Sequence, residues 1–236
     1  MIAVTANVVP GATDAFIRSC ERGPLFYNIY SNRPNIGVVA AYQRLYETFA
    51  EHVDAICFIH DDVEIFAERW AESVALELAD PSVAIVGLGG ASSIGDPDIY
   101  KTPYRIEQLT RGDYASNQRG WEIHGRRETG ARDVAVVDGF FMAVKTSFLK
   151  RIGGWSWMQC EFHCYDTAMC LRAAREGMRV RTLGLDCDHF GGGTSTKPEY
   201  VEWLRERGRT PEQDHQEPHR WLYAEFRDLL PLRRPL

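Results

Sequence analysis

Between Ile2 and Leu88 the chain alternates four apolar runs of β character with three stretches of helical period, and this alternation restricts its fold more than any other feature. Ile2 to Val9 is a β-rich run closed by the turn signal Pro10-Gly11, and Leu25 to Tyr30 is a second one. Ala55 to Ile59 is fully apolar, and Ser82 to Leu88 is the fourth run. Thr13 to Arg22, with Thr13 or Asp14 near the N-cap, lies between the first pair. Gly37 to His52 carries Val38, Ala41, Leu45 and Phe49 at helical spacing, and Ala67 to Leu78 supplies the third helix. Strands alternating with helices imply a mainly parallel sheet covered on both faces. Ligands in such sheets bind outside the carboxyl ends of the strands. The third run ends there in His60-Asp61-Asp62-Val63-Glu64.

From Gly89 to about Arg132 no period is sustained, so a long irregular segment, often functional or mobile, is expected, with Tyr100, Tyr104 and Trp121 as its candidate aromatic ligand contacts. Order returns at Asp133 to Val144, and Asp166 to Glu176 reads as a helix stopped by Gly177. Met178 to Leu185 is a further strand ending at Asp186-Cys187-Asp188-His189. The tail reads as two amphipathic helices separated by Gly208 to Pro218. The expected organisation is a domain over 1–195 with a sheet of about seven strands, and a helical extension over 196–236 packed on it.

A net charge of −6, with no concentrated basic tract, gives no footprint for nucleic acid. No stretch reaches the roughly 20 apolar residues needed to span a bilayer. The six cysteines are scattered, several in apolar surroundings, which suits buried free thiols in a reducing compartment. The expectation is a cytoplasmic protein, or one peripheral at a membrane.

Three segments carry chemistry. Adjacent carboxylates at a strand end, Asp61 and Asp62, are costly unless a cation neutralises them, and a divalent metal carrying a diphosphate would do so. As a doublet alone they read equally well as an exposed acidic turn. Gly153-Gly154-Trp155 precedes Tyr165-Asp166, where Asp166 opens a helix as either an N-cap or a base. His189 stands before Gly191-Gly192-Gly193 and reads as a metal ligand or as a structural loop histidine.

In order and spacing these segments resemble the family 2 glycosyltransferases and their relatives, over roughly residues 25 to 195. The equivalents are His60-Asp61-Asp62 for an Asp-x-Asp-type motif, Gly153-Gly154-Trp155 for a Gly-Gly-aromatic turn, and Tyr165-Asp166 with Leu171 and Arg172 for a Glu-Asp helix start. Asn35-x-Gly37 with Ala41-Tyr42, and Val137-Asp138-Gly139-Phe140, are similar to two further family segments. The resemblance implies a GT-A-like α/β fold and inverting transfer from a nucleotide-diphosphate sugar, UDP favoured, to a carbohydrate or other hydroxyl acceptor. It implies a divalent metal, Mn²⁺ or Mg²⁺, at Asp62 and His189, with Asp166 as base. Asn32 and Asp61 are then the donor contacts, and Trp155 and Asp138 the acceptor contacts. Two positions depart from the family pattern: His60 replaces an Asp, and Tyr165 replaces a Glu.

Rival readings remain open. Cys160, His163 and Cys164, completed by Cys187 and His189, could hold a structural zinc. The departures also suit a degenerate relative that binds carbohydrate or nucleotide without turnover. A sugar nucleotidyltransferase is disfavoured, because Asn7 to Thr13 holds only Gly11 and no Lys or Arg.

Overall fold

A computed structural model describes residues 1–8, 13–97, 109–111, 114–119, 127–190 and 198–234. Its elements begin with β1 (Ile2–Asn7), α1 (Asp14–Arg22), β2 (Tyr27–Ser31), α2 (Val38–Phe49), β3 (Ala55–Ile59), β4 (Val63–Ile65), α3 (Trp70–Ala79) and β5 (Val83–Gly87). Short strands follow at β6 (Gly89–Ala91), β7 (Ser93–Pro97), β8 (Leu109–Arg111), β9 (Tyr114–Ser116), β10 (Ala131–Val134) and β11 (Val136–Val137). The chain continues through β12 (Phe141–Lys145), α4 (Thr146–Ile152), α5 (Tyr165–Arg175), β13 (Arg179–Leu183) and β14 (Cys187–His189). It closes with α6 (Pro198–Glu206), α7 (Pro211–Phe226) and β15 (Leu232–Arg233).

The central sheet has seven strands in the order β10-β13-β5-β12-β3-β1-β2. Strands β1, β2, β3, β5 and β13 run one way, while β12 and β10 oppose them. The architecture is the expected mixed, mainly parallel α/β sheet with helices on both faces. Period-2 alternation along β3 and β12 divides the core. Ile56, Phe58, Met142 and Val144 pack with α2, α4 and α5, whereas Cys57, Ile59, Phe141 and Ala143 pack with α1 and α3. At roughly 25 cal/mol per Å² of apolar surface, this double-sided burial is the main source of stability.

Two expectations about irregular segments need correction. The stretch from Gly89 to Arg132 is not structureless, since β6, β7, β8 and β9 lie within it. These strands are three to five residues long and partly built of Gly and Ser, so they are too short to display a period. Tyr100, Tyr104 and Trp121 lie outside the described residues. In the tail, α7 starts at Pro211 and continues through Pro218, which was read as part of the break. The missed signal is a capping box: Thr210 accepts from the Gln213 N–H, and the Gln213 side chain accepts from the Thr210 N–H. Leu222 and Phe226 of α7 are buried in the same core as the sheet. No helix among the described residues is long and apolar enough to cross a membrane.

Candidate active site at the strand ends

The carboxyl ends of β1 and β3 and the turn into β12 meet at one edge of the sheet. Asn7 ends β1 and donates from Nδ2 to Asp61 Oδ2 at 2.7 Å, which orients the first carboxylate after β3. The His60 N–H donates to the Phe140 carbonyl at 2.9 Å, so the acidic segment is tied to the 138–140 turn. Asp62 is then joined to a segment far away in sequence by the two-stranded β4–β14 ladder. Its register pairs His189 with Val63, and the Phe190 N–H donates to the Asp62 carbonyl at 3.0 Å.

This pairing delivers His189 to Asp62. His189 Nε2 lies 3.4 Å from Asp62 Oδ1 and 3.4 Å from His60 Nδ1. One potential ligand atom from each of His60, Asp62 and His189 falls within 4.8 Å of the others, and all three side chains are half-buried. Among the described residues this is the one such group of His, Cys, Asp or Glu. Three acceptor-capable atoms at this spacing suit a cation, and two imidazoles with a carboxylate suit a first-row divalent ion. The Phe140 ring stacks on His189 with centroids 5.3 Å apart. Burial, and then His189, push His60 away from its charged form, while Asp62, Asp138 and Asp166 pull the other way.

The 138–140 turn also carries the expected base. Asp166 occupies the first turn of α5 and is only 8% exposed. Its Oδ1 accepts from the Thr167 N–H at 2.7 Å, and its Oδ2 from the Gly139 N–H at 3.1 Å. Tyr165 donates to the Gly139 carbonyl at 3.2 Å, and its hydroxyl lies 2.8 Å from His60 Nε2. Burial, together with Tyr42, raises the Tyr165 phenol well above its ordinary range, so it is a neutral donor. Gly139 is required here, because a Cβ at that position would meet the Tyr165 hydroxyl. Asp138 is half-buried and accepts from the Tyr114 hydroxyl at 3.5 Å, with Gln118 Nε2 3.4 Å from that hydroxyl.

Two expected contacts are placed differently. Trp155 is 0% exposed, packed against Tyr42, Phe58 and Tyr165 with centroids 4.9 to 6.1 Å apart. It has no exposed surface in this arrangement, and the Gly-Gly-Trp turn anchors the core at this position. Asn32 is buried, and its amide donates to Asn35 Oδ1 and the Gly37 carbonyl and accepts from the Ile36 N–H. Those bonds commit it to the turn before α2. The zinc set is not assembled either. His163 bonds Tyr200 at 2.9 Å, Cys164 lies 3.4 Å from His219 Nδ1, and Cys187 is buried in the core shared with α1 and α3. Asn7, Tyr114 and Gln118 were missed as site neighbours, because nothing in their local sequence marks them. His60 and Tyr165 were noticed only as departures from a pattern.

Comparison with known proteins assigns the family. Residues 31–202 match the glycosyltransferase-like family. No curated protein matches the chain. Among solved structures, A197 from STIV is similar at 14% identity and TM-score 0.50, over 81% of this chain and 85% of its own. GalNAc-T7 with UDP, GalNAc and Mn²⁺ overlaps at 10% identity and TM-score 0.49, over 98% of this chain and 52% of its own. The mannosyltransferase PcManGT from Pyrobaculum calidifontis, in complex with GDP-Man and Mn²⁺, overlaps at 14% identity and TM-score 0.41, over 94% and 69%. A match spanning the strand-end acidic segment, the 138–140 turn, the Asp166 helix start and His189 places the chain in the glycosyltransferase-like family.

Proposed function

We propose that this protein is a metal-dependent, inverting glycosyltransferase that moves a sugar from a nucleotide diphosphate, UDP favoured, to an acceptor hydroxyl. The observation that carries the reading is the convergence of His60, Asp62 and His189 beside the turn that holds Asp166. Asp62 and His189 would hold a divalent ion, with His60 alongside. When bound, the ion supplies neutralisation of the leaving diphosphate as the glycosidic bond breaks. Asp61, oriented by Asn7, accepts from donor hydroxyls. Asp138 accepts from an acceptor hydroxyl on the other side of the turn.

A sugar hydroxyl is a poor nucleophile near neutral pH, so a carboxylate must take its proton as it attacks. Asp166 is assigned that task, and attack opposite the departing diphosphate inverts the anomeric centre in one displacement. A second reading, binding without turnover, is favoured by one fact: both Asp166 oxygens already accept backbone N–H groups.

Calorimetry with UDP and GDP, with and without Mn²⁺, tests donor and metal together, and NMR of the product anomer tests the stereochemistry. Asp166→Asn is expected to keep nucleotide affinity and lose about 10²-fold or more in turnover. Turnover near wild type in that variant, or a retained anomeric configuration, refutes the mechanism.

A further inference from the structure

The two positions that depart from the family pattern, His60 and Tyr165, are 105 residues apart in sequence and in contact in the fold. His60 Nε2 and the Tyr165 hydroxyl are separated by 2.8 Å. That hydroxyl has one hydrogen, and its oxygen also lies 3.2 Å from the Gly139 carbonyl, which can only accept. The Tyr42 hydroxyl also bonds this phenol, and every contact is satisfied when Tyr165 donates to Gly139 and accepts from His60 Nε2–H and from Tyr42 on its two lone pairs. The opposite arrangement leaves two oxygen acceptors facing each other at 3.2 Å. A neutral imidazole protonated at Nε2 carries its lone pair on Nδ1. His60 Nδ1 is the atom 3.4 Å from His189 Nε2, on the side of Asp62.

The same phenol reaches the base. The Gly139 carbonyl takes the Tyr165 proton, while the Gly139 N–H donates to Asp166 Oδ2. One peptide turn therefore fixes the residue behind the ligand shell and the carboxylate beside it. Partners of this kind, which orient a ligating histidine through its other nitrogen, typically contribute 10- to 100-fold in metal affinity.

We propose that Tyr165 is a positioning residue for the metal centre: it fixes His60 as the Nε2–H tautomer, so that His60 Nδ1 joins Asp62 and His189 as a third ligand. The resulting two-imidazole, one-carboxylate set selects a first-row transition ion such as Mn²⁺ over Mg²⁺, whose preference is for oxygen ligands. His60 and Tyr165, the two departures from the resembled pattern, meet in one hydrogen bond. The inference rests on the metal-site reading above and deepens it.

The test uses the full chain, with MnCl₂ and MgCl₂ as the probes and no nucleotide. Long-range ¹⁵N–¹H spectra of the metal-free protein report the His60 tautomer, with its signals assigned by their loss in His60→Gln. The wild type is expected to show a single Nε2–H form, and Tyr165→Phe a mixture. Calorimetry is expected to give a 10- to 100-fold loss of Mn²⁺ affinity in Tyr165→Phe, and a Mg²⁺ affinity in the wild type at least 10-fold below that for Mn²⁺. His60→Ala should lose at least as much as Tyr165→Phe, and the double variant no more than His60→Ala, since Tyr165 acts through His60. Unchanged Mn²⁺ affinity in Tyr165→Phe, or a wild-type His60 protonated at Nδ1, overturns the inference alone. Equal Mn²⁺ affinity in wild type and Asp62→Ala overturns the metal centre and the inference with it.

Discussion

Glu64→Gln should destabilise the protein through a carboxylate held by two arginines. Glu64 lies on β4, two residues beyond Asp62, with a side chain only 8% exposed. Arg18 Nε and Nη2 donate to its two oxygens at 3.0 and 2.6 Å, and Arg22 Nη1 adds a bond at 2.8 Å. Hydrogen bonding from Arg18 foremost, then from Arg22 and against the opposing cost of burial, holds the carboxyl down at about 2 from an ordinary 4.5. A fall of about 2.5 in pKa, at about 1.4 kcal/mol each, gives roughly 3.5 kcal/mol of stability at pH 7. Arg18 is 46% exposed, so solvent screening reduces that, and about 2 kcal/mol is expected. The folded value lies below the unfolded one, so this stability is present above pH 4.5 and is lost as pH falls through about 2. Urea unfolding of wild type and Glu64→Gln at pH 7, 4 and 3 should show the gap between them narrowing to less than half by pH 3. A gap that stays constant with pH would refute the electrostatic reasoning and leave only the packing change.

Two further outcomes follow from the site. Trp155→Phe is expected to leave the acceptor KM unchanged, because the indole has no exposed surface, while unfolding measurements should show a cost of about 1–3 kcal/mol from lost core volume. A selective rise in acceptor KM would restore Trp155 to the acceptor site. Gly139→Ala drives a methyl group into the Tyr165 hydroxyl, so Mn²⁺ affinity and turnover should fall together by about 10-fold or more, read by calorimetry and by product formation.

The long strands and helices were legible because they bury a full period of apolar residues. Ala55 to Ile59 is predicted and found with the same bounds, since five consecutive buried positions leave no ambiguity of face. The short strands between Gly89 and Ser116 were not legible, because pairing partners supplied from elsewhere in the chain define them. Within the site, residue types that announce chemistry could be read locally: Asp62 after an apolar strand, and His189 after another. An aromatic after two glycines says nothing locally about which way it faces; Tyr42, Phe58 and Tyr165 enclose Trp155. Asn32 had no local signal for the bonds its amide makes within its own turn. The partnership of His60 with Tyr165 had no local signal at all, and only the fold brings the two together.

The β4–β14 ladder has a consequence for how the protein is made. His60 and Asp62 leave the ribosome well before His189, which the ladder sets against them and which lies 129 positions after His60. On the proposed metal-site reading, a nascent chain that has not reached β14 carries only part of the ligand set, and a partial set would bind a first-row ion weakly. Ion capture would then wait until β14 is paired, and tight uptake would report a finished fold and add its binding energy to a domain already built.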